Sequence, residues 1–261
     1  MTNVTLPPAP AKFFNNTFRN VISTATYLKI VDDSTLIRYT TDSYIAHYKN
    51  AGYALPEPEE ITVQWMELAG QARETINIAR SKGDKLARIK SMPPYAIAHF
   101  LFLKEEYALI NLTGAERDKT EKMGQPRPIL AKYQERTGLW RECSVTYDES
   151  DFTMDCMEYS TLLKASEVKQ VFTMLVALCK CDDSKKRVRT IDKNLSAFNN
   201  GILNWKTHEL LPFSPDYVFL SKSPIDLKQN VPEVHITEPD GSDWTFDKWM
   251  DSISTNAEMK Y

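Results

Sequence analysis

The 261-residue chain is 42% hydrophobic and 26% charged, with a formal net charge of −3. That is globular composition at a length that suits one large domain or two modest ones, and it argues against wholesale disorder. The acidic balance excludes a uniformly basic nucleic-acid binder, so any such contact must come from local patches.

The opening MTNVTLPPAPAKFF has no basic leader followed by an apolar run, so no secretory signal is read. TLPPAPAK is Pro-rich and predicts a loose arm. The following stretch to Asn50 mixes β-branched and aromatic residues and predicts short strands and one helix. ALPEPEE (Ala54 to Glu60) is a break that primes a helix, with Pro58 suited to its first turn and Glu59 and Glu60 to its positive end. Trp65, Leu68, Ala69, Ala72, Ile76 and Ala79 recur at helical spacing and carry that helix to about Ser81. A basic cluster follows on and beyond its far side: Arg73, Arg80, Lys82, Lys85, Arg88 and Lys90.

After the Pro93-Pro94 pair, a short helix is predicted from Ile97, Ala98, Leu101 and Phe102, then a strand in YALINL. TGAERDKTEKMGQPRP is expected to be an exposed loop. ILAKYQERTGLWRECSVTY alternates around ERTG and predicts a β-hairpin. DESDFTMDCMEYS reads as an acidic connector. Val168, Val171, Phe172, Leu175, Val176 and Cys179 mark a buried helix, too short in its apolar run to span a bilayer. A second basic cluster holds Lys180, Lys185, Lys186, Arg187, Arg189 and Lys193.

Next comes FNNGILNWKTHELLPFSPDY, which reads as strand, Asn-Gly turn, strand, a second turn and a Pro-terminated connector. Gly201 permits a positive φ, and Thr207-His208 forms the tip of a small hairpin. A strand YVFL, a polar Pro-rich connector and a last helix WTFDKWMDSIS complete the chain. The expected class is α+β, helix-rich with small antiparallel β-hairpins.

Chemistry-bearing constellations are sparse. There is neither a GxxxxGK[ST] phosphate loop nor a GxGxxG turn. The acid pairs Asp32/Asp33, Asp151/Asp155 and Asp182/Asp183 do not alternate on an apolar strand, as converging metal ligands usually would, and read as solvated acids or helix caps. His47, His99, His208 and His235 are dispersed. The four cysteines, Cys143, Cys156, Cys179 and Cys181, lack paired CxxC spacing, so we expect free thiols, no zinc and a reducing compartment. In the two basic clusters the choice is between phosphate contacts and a solvated face or cations offsetting a helix C-terminal dipole.

The stretch from Asn199 to Tyr217 closely resembles a signature of phage- and plasmid-type primase-helicases, shared with poxvirus-type proteins. Asn200-Gly201, Thr207, Glu209-Leu210, Pro212 and Ser214-Pro215-Asp216-Tyr217 match it. Asn204 stands where that family often has an acid. YVFLSKSPIDL, KYQERTGLWREC, SEVKQVFTMLVAL and TFDKWMDSIS resemble further parts of the same accessory region, over about residues 95 to 261. The resemblance implies a region ahead of a superfamily-three helicase domain, with residues 1–90 unassigned and 91–261 as the accessory domain. TNAEMKY falls where the helicase would begin, so we expect either the N-terminal part of a longer protein or a relative without the motor. The resemblance further implies a non-catalytic region binding single-stranded or forked DNA, with homo-oligomers or replication proteins as partners. It implies ATP and Mg only for a downstream domain. The expected location is the cytoplasm, that of the bacterial host if phage-encoded. Two alternatives stay open: a primase-like nucleotidyltransferase with a divergent metal site, and a module that recruits a replication factor.

Overall fold

A computed structural model of the protein describes residues 6–10, 13, 30, 32–112, 128–145, 150–228, 235–237, 243–245 and 248. The fold is mixed α+β. The expected loop at 113–127 and most of the last predicted helix lie outside the described residues, as does 14–29.

Helix α1 (Asp33–Ala51) starts where the Asp32 carboxylate accepts the Thr35 N–H at 2.7 Å, and ends at Gly52 in the left-handed region (φ 73°). Its buried stripe is Leu36, Thr40, Tyr44 and Tyr48. Thr40 is tolerated there because its hydroxyl donates to Leu36 O at 2.8 Å. Helix α2 (Pro58–Ile78) follows with Pro58 in its first turn, burying Ile61, Gln64, Trp65, Leu68, Ala69, Ala72 and Ile76. Ala79, expected on that stripe, is exposed beyond the last turn. The described part of the Pro-rich arm is tethered rather than loose: Ala54 N–H donates to Pro7 O at 2.9 Å.

Helix α3 (Pro94–Lys104) leads into strand β1 (Tyr107–Asn111). Strands β2 (Ile129–Gln134) and β3 (Leu139–Glu142) form the hairpin expected around ERTG. The acidic connector is instead helix α4 (Ser150–Met157). Asp151 is exposed and Asp155 partly buried, while Phe152 and Cys156, one turn apart, enter the core. Helix α5 (Ala165–Cys181) packs chiefly on α3 and buries Val168, Val171, Leu175 and Cys179. Strand β4 (Lys186–Val188) then adds parallel to β1, giving the sheet order β3-β2-β1-β4.

Strands β5 (Leu195–Phe198), β6 (Gly201–Asn204) and β7 (Glu209–Leu211) form an antiparallel meander. The second expected hairpin is β6–β7. YVFL is not a strand. It is an irregular bridge: Phe219 O accepts from Trp140 N–H at 2.9 Å and Val218 O from Thr190 N–H at 3.0 Å, so its bonds go to two different segments rather than one ladder. A short pair, β8 (Ile236–Thr237) and β9 (Asp243–Trp244), lies further on.

The largest core joins Tyr44, Trp65, Ile97, Phe100, Tyr107 and Val171, so side chains from before and after residue 90 share it. A separate cluster on the other face of the sheet joins Ala108, Ile110, Ala131, Tyr133, Trp140 and Val218. The gross gain from each large buried side chain is about 1.5–3 kcal/mol.

Candidate nucleic-acid interface

The two basic stretches adopt different structures. Residues 82–90 form a strap across the end of α1 and α2. Its anchor is Leu86, buried against Ile30, Leu36, Ala72 and Ile76. The Asn77 amide clamps Leu86 on both backbone groups, accepting from its N–H at 2.8 Å and donating to its carbonyl at 3.1 Å. Arg80 donates to Asp84 O at 3.0 Å and to Ile30 O, so it serves the strap's geometry. With the backbone pinned at Leu86, Lys82, Lys85, Arg88 and Lys90 are all exposed, and none has an ion-pair partner among the described residues. Arg73 lies further back on α2, 3.5 Å from Glu74. Together with Arg88, Met66, Gly70 and Ile89 it borders a cavity of about 510 Å³.

The second stretch is more neutralised. Glu106, beside β1, is 3.7 Å from both Lys185 Nζ and an Arg187 guanidinium nitrogen. Lys185, its side chain only 15% exposed, also sits 5.6 Å from the Phe102 ring. Arg187 donates to Ser184 O at 2.5 Å. Lys186 is 2.6 Å from Asp183. Arg189 is partly buried and has partners of its own. Lys180 and Lys193 are exposed without an ion pair among the described residues. Cations adjacent in sequence thus divide into those holding β4 to β1 and those open to solvent.

The acid pairs resolve into caps and ion pairs. Asp32 caps α1. Asp182 caps the short turn Asp183–Lys185, accepting from Ser184 N–H at 2.8 Å. Asp151 lies 2.5 Å from Arg141. Asp155 accepts from the Tyr107 hydroxyl and from Lys132 Nζ at 2.9 Å, and Lys132 reaches Glu105 at 2.8 Å. Burial works against the Lys132 charge, but the hydrogen bonds to Glu105 and Asp155 outweigh it and raise its pKa above the usual lysine value. Burial, then the Asp155 charge, pushes the Tyr107 phenol upward.

All four cysteines are free thiols. Burial, with the Asp155 charge adding to it, pushes Cys143 and Cys156 up to about 12, which leaves them protonated and unreactive at neutral pH. His47 stacks on Phe13 at 4.5 Å, and burial lowers its pKa. His99 Nδ1 lies 2.9 Å from Tyr95 O. Among the described residues no group of three or more His, Cys, Asp or Glu is arranged to hold a metal ion. No described helix is long and apolar enough to cross a membrane.

The Asn199–Tyr217 stretch is a docking joint. The Asn200 side chain brackets Leu227, accepting from its N–H and donating to its carbonyl, both at 2.9 Å. Gly201 leaves room for its own sheet: a Cβ there would lie 2.7 Å from Leu211 O. The Asn204 carbonyl accepts from Lys206 N–H at 3.0 Å and forms the turn, a job an acid can also do. His208 closes that turn with φ 56°. Ser214 Oγ accepts from Asp216 N–H at 3.2 Å.

Phe213 then reaches the other hairpin. Gly138, at the β2–β3 tip with φ 71°, has no space for a Cβ because the Phe213 ring occupies it. Lys222 locks the joint, donating to Thr137 O at 2.9 Å and Asn199 O at 3.3 Å, 4.9 Å from the centre of the Phe213 ring. Sequence reasoning passed over Phe213 and Lys222, since no local signal marks a contact of this range.

Residues 127–255, which include this joint, match a family model of the phage and viral primase-helicase kind. The family is described as D5 N terminal like, and the matched residues are similar to the N-terminal region that in D5-like proteins precedes a superfamily-three helicase. A search of curated proteins finds no match.

Proposed function

We propose that the chain is a non-catalytic DNA-binding and assembly region of a replicative primase-helicase from a phage or related mobile element. The observation that carries this reading is the strap: Lys82, Lys85, Arg88 and Lys90 are four exposed cations without ion pairs among the described residues, in a chain of net charge −3. Cations held on an ordered but exposed segment suit phosphate contacts and carry no base-edge code. Lys180, Lys186 and Lys193 add exposed charge from the second stretch. Arg80 braces the strap and Lys185 and Arg187 hold β4 to β1, while Arg73 and Arg189 are further candidate phosphate contacts. ATP and Mg²⁺ belong to a downstream helicase domain. Copies of the same protein and neighbouring replication proteins are its protein partners.

The test is fluorescence anisotropy with labelled single-stranded and duplex DNA across a salt series. The variant K82A/K85A/R88A/K90A removes up to four phosphate contacts and should flatten the log–log salt slope by about 3 to 4 on duplex DNA. A second variant, K180A/K193A, should have a smaller effect. Lys185 and Arg187 are left intact because their loss would strand Glu106 and confound binding with folding. Absence of wild-type binding at low salt, or an unchanged slope in the quadruple variant, refutes the reading.

A further inference from the structure

The β6–β7 tip holds an aromatic side chain that the fold does not bury. Trp205 is 49% exposed, whereas Trp65 and Trp140 are at most 1% exposed. It is nevertheless fixed in place. Its indole N–H donates to Ser196 Oγ on β5 at 2.9 Å, and its backbone N–H donates to Asn194 O at 2.8 Å. The ring is therefore held at its polar edge while about half of its surface meets solvent.

Two exposed lysines lie on the segments that hold it. Lys206 follows directly and is exposed. Lys193, also exposed, sits on the 192–194 turn that the Trp205 backbone binds. The acids nearby are Asp192 and Glu209. The Asp192 carboxylate is occupied by the Asn194 backbone N–H at 2.9 Å and side-chain amide at 2.7 Å, and it lies close enough to Lys206 to feel its charge. Glu209 is paired across the hairpin with Asn204, on the far side of the turn.

We propose that Trp205 is a stacking platform for an unpaired base, with Lys206 and Lys193 receiving the flanking phosphates. The inference rests on the DNA-binding reading above and adds to it a preference for single strands. The chemistry is specific to that occupant. A base in a duplex has both faces covered by its neighbours, whereas an unpaired base can offer a face to an aromatic ring, and cations beside the ring track the backbone. A pre-positioned ring also gives up little rotational freedom on binding. A protein partner would use the apolar ring but has no general need for the two lysines.

The experiment uses the full chain, a thymidine oligonucleotide and a blunt duplex of equal length. Wild type, W205A, W205F and K82A/K85A/R88A/K90A are titrated by anisotropy, with thermal melts confirming that each variant is folded. W205A should weaken single-strand binding by roughly 5- to 150-fold and leave duplex binding within about twofold, while W205F retains most of the affinity. Intrinsic fluorescence quenched by the oligonucleotide in wild type should lose its main component in W205F. An equal loss on both DNAs, or no loss on either, overturns the stacking platform while DNA binding through the strap stands. Normal binding by the strap variant together with selective loss in W205A supports the platform and refutes the strap. A wild type that binds neither DNA overturns both. Retained single-strand affinity in W205A with loss of a protein partner assigns the tip to that partner and overturns the platform.

Discussion

Gly138→Ala tests the joint between the two hairpins. The substitution acts in two ways. It places a Cβ on a backbone at φ 71°, a conformation that costs an L-residue about 1–2 kcal/mol. It also drives that Cβ into the Phe213 ring at the base of the ring rather than at a mobile tip, an overpacking that costs about 1–3 kcal/mol. The sum is about 2–5 kcal/mol, a large share of the stability of an ordinary domain. The two causes separate in a double-mutant cycle. Phe213→Ala alone loses a partly buried ring and its contact with Lys222, the latter worth about 0.5–1 kcal/mol. In G138A/F213A the steric cost disappears and the backbone cost remains. The double variant should then be more stable than additivity predicts by about 1–3 kcal/mol. Urea unfolding of the four proteins, followed by far-UV circular dichroism at constant m-value, measures this. Additivity within about 0.5 kcal/mol, or a Gly138→Ala cost below about 1 kcal/mol, would show that Phe213 does not occupy the Gly138 face in solution.

Gln64→Leu removes the acceptor for two buried phenols, Tyr44 at 2.7 Å and Tyr48 at 2.8 Å, and should destabilise the protein by about 2–5 kcal/mol in thermal or urea melts. Adding Tyr44→Phe and Tyr48→Phe removes the stranded donors and should recover most of that loss; no recovery would place the cost in packing instead. Lys132 has a raised folded-state pKa, so its contribution is complete below the unfolded lysine pKa of about 10.4 and fades as pH climbs through the higher folded value. Lys132→Met should therefore lower stability at pH 7 to 9, with the gap to wild type narrowing only at the alkaline extreme; a gap that already closes by pH 9 would refute the assignment.

Turn chemistry and aliphatic periodicity were legible in the sequence. The Thr137-Gly138 and Thr207-His208 turns predict both hairpins, and Val168 through Cys179 predicts α5, because those signals are local. Helix α1 was obscured because its buried stripe is Thr and Tyr rather than aliphatic, a pattern that becomes apolar only once Gln64 and Leu36 O satisfy the hydroxyls. Helix α4 was hidden by its acids, whose charge outweighs the two side chains that bury. In the candidate interface, local sequence could mark cations but not their partners. Glu106 lies far upstream of Lys185 and Arg187, so only the fold separates structural charge from free charge.

The parallel pairing of β4 with β1 bears on how the protein assembles. Each hairpin, and the meander, closes over a turn of a few residues, a fast and local event. The rungs Leu109–Lys186 to Asn111–Val188 instead wait for the β2–β3 hairpin, α4 and α5 to be made and folded back. That closure carries the largest loop entropy in the sheet and has only three short rungs to offset it. The ion pairs from Glu106 to Lys185 and Arg187 sit on this seam. The same charges that keep two cations away from any ligand thus fasten the last strand, and during synthesis the sheet stays open at that edge until the ribosome has released the basic segment.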